Sequence, residues 1–418
     1  MLNTKAIIIN IYLYYKYHLM KKITLVCLAC LSLVLTNRAF AQKTDTVNLT
    51  DIKFKVEAAP EWSALLKRDS GWFGGDGIYT IPLNGKETGQ AKHNDKVLFI
   101  FSDSMIGAVR DHTMAPGAIM IHNAVAELKG NEPLDKQMKF YWDKNAKGKP
   151  ESIFIPHTPK TGATDYYWLG DGFVNQALNN SIYIFGYRVH NVSNEAFGFR
   201  EVGNTLIKIP ANSKPPYKDL KQMDTPFYLV DQKGESGSFG AGIYVNTKEA
   251  GAPKPDGYIY VYGVRGMAKH LMVARVLPGD FENYSKWTFY NGKAWVADME
   301  QVANVTSSVS NELSFSPLPD GRYALIFQVG GMTTSVGMRI GASPVGPFGP
   351  IIKLWDCKPD LIAKTFVVYN AKAHPSLSKP GELLISYNIN SVDFLNDLKK
   401  YPNLYRPRFI RVKFNEHE

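Results

Sequence analysis

The sequence of 418 residues predicts an all-β fold, a five-bladed β-propeller in a single domain. Beyond residue 41 the apolar runs are short, contain many tyrosine and phenylalanine residues, and end at glycine- and proline-containing turns, as β-strands do. In addition, one signature recurs five times: a polar turn followed by an apolar strand that ends in a small or polar residue. The regular recurrence of one strand signature is typical of propeller blades.

The recurring signature marks the second strand of each predicted blade. It lies at 93–104, 178–188, 255–265, 319–330 and 379–390. The strand ends are about 71 residues apart on average, so five such units account for the chain from residue 42 onward. Another strand pattern precedes each signature and predicts the first strand of the blade, at 74–83, 170–178, 238–246, 310–318 and 372–378.

The remaining strands complete each blade. Third strands are predicted at 118–128, 205–210, 271–277 and 335–343. The last blade is completed either by a strand at 406–414 or by one near residue 54, and the sequence leaves both open. The segments 129–165 and 210–236 are rich in proline, glycine and lysine, so we expect them to be loops on one face.

The first 41 residues have the pattern of an export signal. Lys21 and Lys22 follow Met20, an apolar run covers 23–36, and the small residues Ala39 and Ala41 flank a cleavage site. We expect the start at Met20, with 1–19 upstream of it, and an exported chain of residues 42–418 that is periplasmic or extracellular. A transmembrane anchor is the alternative, but the run is short for a bilayer span.

The net charge of the chain is about half as large once the predicted export signal is set aside. The formal net charge is +10, from 48 basic and 38 acidic residues. Five of the basic residues and none of the acidic ones lie in the first 41, so the remainder has an ordinary charge of about +5. We therefore predict no nucleic-acid partner, no membrane span after cleavage, and a monomer. Only Cys357 remains of three cysteines, which excludes a disulfide framework and a zinc site of several cysteines.

In a propeller, the starts of first strands and the ends of second strands lie at the same face. Residues at these places are therefore expected to meet in one axial pocket. The first-strand starts are Asp76, Asp171, Ser238, Glu312 and His374, and the second-strand ends are Asp103, Arg188, Arg265, Gln328 and Asn388. Aspartate and glutamate are disfavoured in strands, so strand propensity does not explain the carboxylates at these places. Asp-Gly turn chemistry is the alternative for Asp76 and Asp171.

The other candidates each have two interpretations. Arg188 and Arg265 occupy equivalent places and either clamp an anionic group or hold the carboxylates in position. Trp72 and Trp168 either stack on sugar rings or belong to the core, as does Tyr187. The remaining two candidates, His374 and Asn388, are expected to line the pocket, with a structural role as the alternative for the histidine.

The layout resembles the five-bladed propeller glycoside hydrolases of the arabinanase, xylosidase and arabinofuranosidase group. It is more closely similar to a family of secreted bacterial propellers that includes endo-D-arabinanases. That similarity is carried by the segments 59–83, 98–107, 167–174 and 381–394. The first resemblance implies an axial histidine and three catalytic acids in successive blades. These positions are Asp76 as base, Asp171 as orienting group, Glu312 as acid and His374 near the axis.

One departure from that group concerns the acid. Its glutamate comes in the third blade, whereas here the third blade opens with Ser238 and Glu312 comes one blade later. Asp103 is therefore an alternative for the acid or for the orienting group.

We expect a secreted glycoside hydrolase that cleaves a bacterial or plant polysaccharide, with an arabinan as one candidate, by acid/base catalysis in the axial pocket. Inversion of configuration is implied by the resemblance. The alternatives are a carbohydrate-binding propeller without turnover and a scaffolding propeller. No cofactor and no metal ligand are assigned, although related propellers leave a structural calcium ion at the axis as an open alternative.

Overall fold

The structure is a computed structural model that describes residues 47–89, 91–193, 198–232 and 234–414. The predicted export signal lies outside the described residues. From Leu49 onward the chain forms one compact unit. Within the described ranges, no helix is both long and apolar enough to cross a membrane.

The secondary structure is almost entirely β. The strands in chain order are β1 (Phe54–Ala58), β2 (Ser70–Gly75), β3 (Tyr79–Pro82), β4 (Lys96–Phe101), β5 (Ser104–Arg110), β6 (Thr113–Met114), β7 (Ile119–Ile121), β8 (Ala124–Lys129), β9 (Met138–Tyr141), β10 (Asp143–Lys144), β11 (Pro150–Glu151), β12 (Tyr166–Asn175), β13 (Ser181–Asn191), β14 (Phe199–Ile209), β15 (Lys221–Asp224), β16 (Tyr228–Val230), β17 (Ser236–Asn246), β18 (Tyr258–Arg265), β19 (His270–Val276), β20 (Thr288–Tyr290), β21 (Trp295–Val296), β22 (Leu313–Pro317), β23 (Tyr323–Gln328), β24 (Ser335–Gly341), β25 (Ile352–Asp356), β26 (Phe366–Ala373), β27 (Glu382–Ser391) and β28 (Arg408–Phe414).

Helices are few and short. The α-helices are α1 (Pro60–Leu65) and α2 (Phe394–Lys400). Single 3₁₀ turns occur at Asp135–Gln137, Gln176–Leu178, Pro278–Asp280, Tyr284–Lys286, Met299–Gln301, Lys358–Asp360 and Pro375–Leu377. The predicted all-β class is confirmed.

Five antiparallel sheets follow one another along the chain, and we number them 1 to 5. Their strand orders are β3-β4-β8-β9, β12-β13-β14-β15, β16-β17-β18-β19-β20-β21, β22-β23-β24-β25 and β26-β27-β28-β1. The five recurring signatures form β4, β13, β18, β23 and β27, the strands that pair with the first strand of each unit. The two segments expected to be loops carry short strands instead, among them β9 and β15, which form the outer edges of sheets 1 and 2.

Each sheet packs against the next through its own hydrophobic cluster, because the central strands are apolar on both faces. Sheet 1 packs on sheet 2 through side chains such as Ile81 and Ile184. Sheets 2 and 3, then 3 and 4, then 4 and 5 are joined in the same way. A further cluster that includes Phe99 and Leu384 joins sheet 5 to sheet 1.

The last sheet is assembled from both ends of the described chain. β28 supplies its third strand and β1 its fourth, with Val56 opposite Val412 in the register. Both segments that the sequence left open are therefore used. The α1 helix adds to this closure, since Trp62 packs near Phe409 of β28 with ring centroids 6.2 Å apart.

We expect removal of residues 42–58 to lower the free energy of unfolding by about 2 kcal/mol, because Phe54 and Val56 lose their partly buried packing. Urea denaturation measures this loss. A matched truncation that removes only 42–47 is expected to leave stability unchanged. Equal stability of all three chains would show that β1 does not close the sheet.

Candidate active site

Asp76 and Asp103 face each other where two strand pairs are interrupted. Asp76 lies between β2 and β3, and Asp103 lies between β4 and β5, which pair with them. The Asp76 amide donates to the Asp103 carbonyl at 3.1 Å, and the Ser102 amide donates to the Asp76 carbonyl at 2.9 Å. Gly77 follows at a φ of +61°, where a Cβ would lie 2.4 Å from Ser102 Oγ, so the Asp-Gly pair is required by this break.

Further contacts fix the two carboxylates from different elements. The Tyr369 hydroxyl of sheet 5 donates to Asp76 Oδ2 at 2.6 Å. Asp103 Oδ1 lies 2.9 Å from Nδ1 of His122, the residue that follows β7. Both aspartates therefore occupy defined positions, and the Asp103 side chain is 18% exposed.

Asp171 lies within β12 and not at its start, which corrects the predicted position. A β-bulge between Leu169 and Gly172 turns its side chain away from the ladder. Oδ1 accepts from the Gly172 amide at 2.8 Å, and Oδ2 accepts from the Ile243 amide of sheet 3 at 2.7 Å. This carboxylate thus joins sheets 2 and 3. The strand begins earlier than predicted because Tyr166 and the residues after it already pair with β13.

Glu312 immediately precedes β22 and forms an ion pair with a buried lysine. Lys372 Nζ lies 2.5 Å from Glu312 Oε2, and the lysine side chain is fully buried. Lys372 follows a bulge in β26, donates to the Asn370 carbonyl at 3.0 Å, and lies 4.6 Å from the centre of the Tyr79 ring. The cation therefore sits between sheets 4, 5 and 1.

The carboxylates influence one another because water is largely excluded from them. Burial and the negative charges of Asp103 and Glu312 together raise the pKa of Asp76 to about 8, against the hydrogen bond from Tyr369. Burial raises the pKa of Asp171 to about 7. Burial also raises the pKa of Glu312, while Lys372 opposes this shift. At neutral pH the group of acids therefore retains at least one proton.

An enclosed cavity of about 50 Å³ lies next to Asp171 and is lined from all five sheets. Representative lining residues are Thr80, Asp171, Tyr244, Ser314 and Ala373. Of the four acids only Asp171 lines this cavity, but Asp76 is close enough to Asp103 and Glu312, and Asp171 to Glu312, for their charges to interact. Within the described part of the chain, no group of three or more His, Cys, Asp or Glu side chains could hold a metal ion. Axial calcium remains an untested prediction.

Three residues expected to contact substrate are buried in the protein, which corrects those assignments. Trp72 is 1% exposed, stacks on Phe140 at 4.8 Å and donates from Nε1 to Ser104 Oγ, so it belongs to the core. Asn388 is fully buried and donates from Nδ2 to the Gly75 carbonyl at 3.1 Å, beside Asp76. It supports the backbone of the site and does not contact solvent.

His374, the third of these residues, is not at a strand start. β26 runs from Phe366 to Ala373 and His374 follows its end, because the bulge at 369–372 conceals the first half of the strand. Its Nδ1 hydrogen bonds with Thr80 at 3.1 Å and its Nε2 with Ser386 at 2.8 Å. Burial lowers its pKa to about 3. The ring is therefore neutral and structural.

The remaining predicted residues lie around this centre. Arg188 is buried and pairs with Asp224 at 2.7 Å and Asp165 at 3.3 Å, so its contacts fit the holding role and not the clamping of an anion. Arg265 donates to the side chain of Asn304 at 2.5 Å. Trp168 is half-buried, with edge contacts to neighbouring aromatic rings, and keeps a partly open face.

Several functional neighbours were missed by sequence reasoning. Tyr369 lies in the first half of β26, which the sequence pattern did not reveal as a strand, and Lys372 lies near the end of β26. Tyr405 also hydrogen bonds to Asp76. For Lys372 a signal was available, since it stands two residues before His374 in a segment already read as a strand, but lysines are rarely buried.

Comparison with known proteins gives a family and a fold. The model of a family described as "Domain of unknown function (DUF5005)" matches residues 60–415. No protein of curated function matches the chain. A crystal structure from Bacteroides ovatus ATCC 8483, described provisionally as a hydrolase, has a TM-score of 0.66 and 21% identity, over 88% of this chain and 97% of that one. The chain shares its fold.

Two other similar structures are more distant. The exo-β-1,3-galactanase of Phanerochaete chrysosporium has a TM-score of 0.42 and 11% identity, over 82% of this chain and 62% of that one. An α-L-arabinofuranosidase of Clostridium thermocellum ATCC 27405 has a TM-score of 0.39 and 11% identity, over 74% and 82%. At these scores neither bears on the activity of this chain, and the expected kinship with arabinanases stays a prediction.

We expect Lys372→Met to lower the free energy of unfolding by about 3–5 kcal/mol at pH 7, because it leaves Glu312 buried without its partner. Urea denaturation measures the loss, and adding Glu312→Gln should recover part of it. Lys353→Met is the matched control, because the exposed pair with Asp356 contributes only about 0–1 kcal/mol. Additive losses in the double variant would contradict the pairing.

Asp76→Asn is expected to change how stability depends on pH. The pKa of Asp76 is about 8 in the folded protein and near its ordinary value of 3.8 when unfolded, so the folded state binds the proton more tightly. Asp76 therefore makes stability fall as pH rises from about 4 to 8.

Asp76→Asn removes that effect. The free energy of unfolding of the variant, relative to that of the wild type, should be at least about 1 kcal/mol higher at pH 8 than at pH 5. Urea denaturation at the two pH values measures this difference. Asp111→Asn, at an exposed turn, is the control. A constant difference between Asp76→Asn and wild type would show that Asp76 is not protonated at neutral pH.

Proposed function

The chain belongs to the DUF5005 family, and we propose that it is a glycoside hydrolase with Asp76 and Asp103 as its acid/base pair. The observation that carries the proposal is their opposed placement at one strand break, where the charge of Asp103 raises the pKa of Asp76. Two carboxyl groups of unequal proton affinity are what glycosidic cleavage requires.

The electrostatics favour Asp76 as the proton donor. Asp76 keeps its proton near neutral pH, because burial and the neighbouring Asp103 raise its pKa to about 8. This exchanges the role that the family resemblance implied for Asp76, and it gives Asp103 the role of base instead of the acid or orienting role that the sequence left open for it. Glu312 is held by Lys372, and Asp171 by two backbone amides, so we assign both to orienting and tuning the pair.

In the proposed reaction, the Asp76 carboxyl donates its proton to the glycosidic oxygen as the bond to the anomeric carbon breaks. Asp103 accepts a proton from a water molecule whose oxygen bonds to that carbon. The products are the two free sugars, and a proton returns from Asp103 to Asp76 through solvent. Inversion follows for this direct attack, in line with the resemblance.

We further propose that the five sheets are the blades of a closed propeller. The serial hydrophobic clusters, including the one between sheets 5 and 1, and the axial cavity lined from all five sheets support this arrangement. First strands that surround an axis would bring their bulges and breaks to one centre. Blade geometry would thus explain why acids from distant parts of the sequence meet.

The substrate we propose is a neutral polysaccharide, with an arabinan as the candidate implied by the resemblance. Four carboxylates and one lysine give the centre a negative balance, which disfavours anionic sugars. Trp168 and Tyr166 form an edge-to-face pair with ring centroids 6.0 Å apart, and Tyr166 stacks on His122. His122 of this row contacts Asp103, and the half-buried Trp168 ring offers a face on which a sugar can stack. Export from the cytoplasm, implied by the leader, would bring the enzyme to such substrates.

We expect Asp76→Asn and Asp103→Asn each to reduce the rate of sugar release by about 10²–10⁴-fold, the usual contribution of a general acid or base. The measurement is reducing-sugar release by the chain from residue 42, screened on arabinans of both configurations, xylan and β-1,3-galactan. Asp111→Asn again serves as the control for substitution away from the site.

Two results would contradict the proposal. In the first, no polysaccharide releases sugar, but one binds saturably to the wild type and to both variants. This result would indicate a carbohydrate-binding protein without turnover. The other is sugar release at the wild-type rate by both variants, which would place the chemistry elsewhere.

A further inference from the structure

We propose that His122 is a positioning residue that holds Asp103 in the orientation needed to accept a proton. The proposal rests on the glycoside hydrolase function inferred above and adds a residue to it. Its starting observation is the 2.9 Å contact between His122 Nδ1 and Asp103 Oδ1, a pair formed between the residues after β7 and β4.

His122 is held through its backbone amide and through one face of its ring. The His122 amide donates to the hydroxyl of buried Ser152 at 2.9 Å. The ring stacks on Tyr166 with centroids 3.8 Å apart and planes inclined by 16°. Tyr166 is itself anchored, because its hydroxyl donates to Asn191 Oδ1 at 2.9 Å. The ring therefore meets Asp103 in one orientation and not through a freely rotating side chain.

This arrangement determines which oxygen of Asp103 can react. With Nδ1–H donating to Oδ1, the Oδ2 atom is left to accept a proton from water. A hydrogen bond that fixes one carboxylate oxygen orients the other, as the partners of ligating and catalytic side chains commonly do. His122 thus acts through Asp103 and needs no contact with the sugar.

The exposure of His122 and Asp103 indicates that their contact serves the proposed site more than the stability of the fold. The His122 and Asp103 side chains are 34% and 18% exposed, so their contact is reached by solvent and does not lie in the core. Ion pairs exposed to this degree contribute little to stability. Among the described residues, none hydrogen bonds to Nε2 of His122. A carboxylate that is held on one side and reached by solvent on the other is what a positioned proton acceptor requires.

Asparagine and glutamine at position 122 test whether the hydrogen bond to Asp103 must come from the place of Nδ1. An asparagine at position 122 can place an N–H donor where Nδ1 lies, whereas a glutamine places its amide where Nε2 lies. We therefore expect His122→Ala and His122→Gln to lower kcat by about 10- to 100-fold with KM nearly unchanged, the effect of losing a hydrogen bond to a charged group. His122→Asn should recover most of the rate.

The test is steady-state hydrolysis of the responsive polysaccharide by the full mature chain and these variants. His93→Ala, an exposed histidine outside the site, is the control. Three results would overturn the proposal: wild-type kcat in His122→Ala, equal loss in His122→Asn and His122→Gln, or a change confined to KM. The last would make His122 a substrate contact.

A second readout does not depend on activity. Nitrogen-15 NMR of the histidine side chains reports which ring nitrogen carries the proton. We expect His122 to carry it on Nδ1 in the wild type and to change its Nδ1 signal in Asp103→Asn. If no polysaccharide is cleaved but this signal behaves as expected, the proposed function fails while the dyad stands. A proton on Nε2 alone in the wild type would overturn the dyad.

Discussion

The exclusion of water from a group of acids drawn from several sheets is the constraint on which the site depends. Asp76, Asp171 and Glu312 all have raised pKa values because burial penalises their charged forms, and one buried lysine only partly offsets this. Acids in such surroundings cannot all ionise at neutral pH. The same penalty costs folding stability and supplies a proton donor, so stability and the proposed chemistry are opposed at this place.

The fold creates this centre by interrupting its own strands. An unbroken strand would send alternate side chains into the clusters between sheets, where no carboxylate is tolerated. The break at Asp76 and the bulges at Asp171 and Lys372 turn these side chains out of the ladder. The surrounding strands stay rigid, because their other residues are packed in the five hydrophobic clusters. The carboxylates and the lysine are thus presented from strands whose other residues are packed in the core.

Much of the fold could be predicted from the sequence, because a polar turn before a short apolar strand is a local pattern that does not depend on partners from other sheets. The first strands were harder, since bulges at 169–172 and 369–372 break the alternation that marks a strand. The acids were found because carboxylates beside strands are unusual. Trp72 and His374 were misassigned, and Lys372 missed, because burial is decided by partners from other sheets, which no local pattern reveals.

The most direct test of the central claim is a crystal structure of Asp76→Asn with an oligosaccharide of the cleaved polysaccharide. We predict that a glycosidic oxygen lies within about 3 Å of the residue 76 side chain, with Asp103 on the other side of the same sugar ring. An oligosaccharide bound with no glycosidic oxygen within roughly 5 Å of either carboxylate position would contradict the assignment of this centre as the place of cleavage.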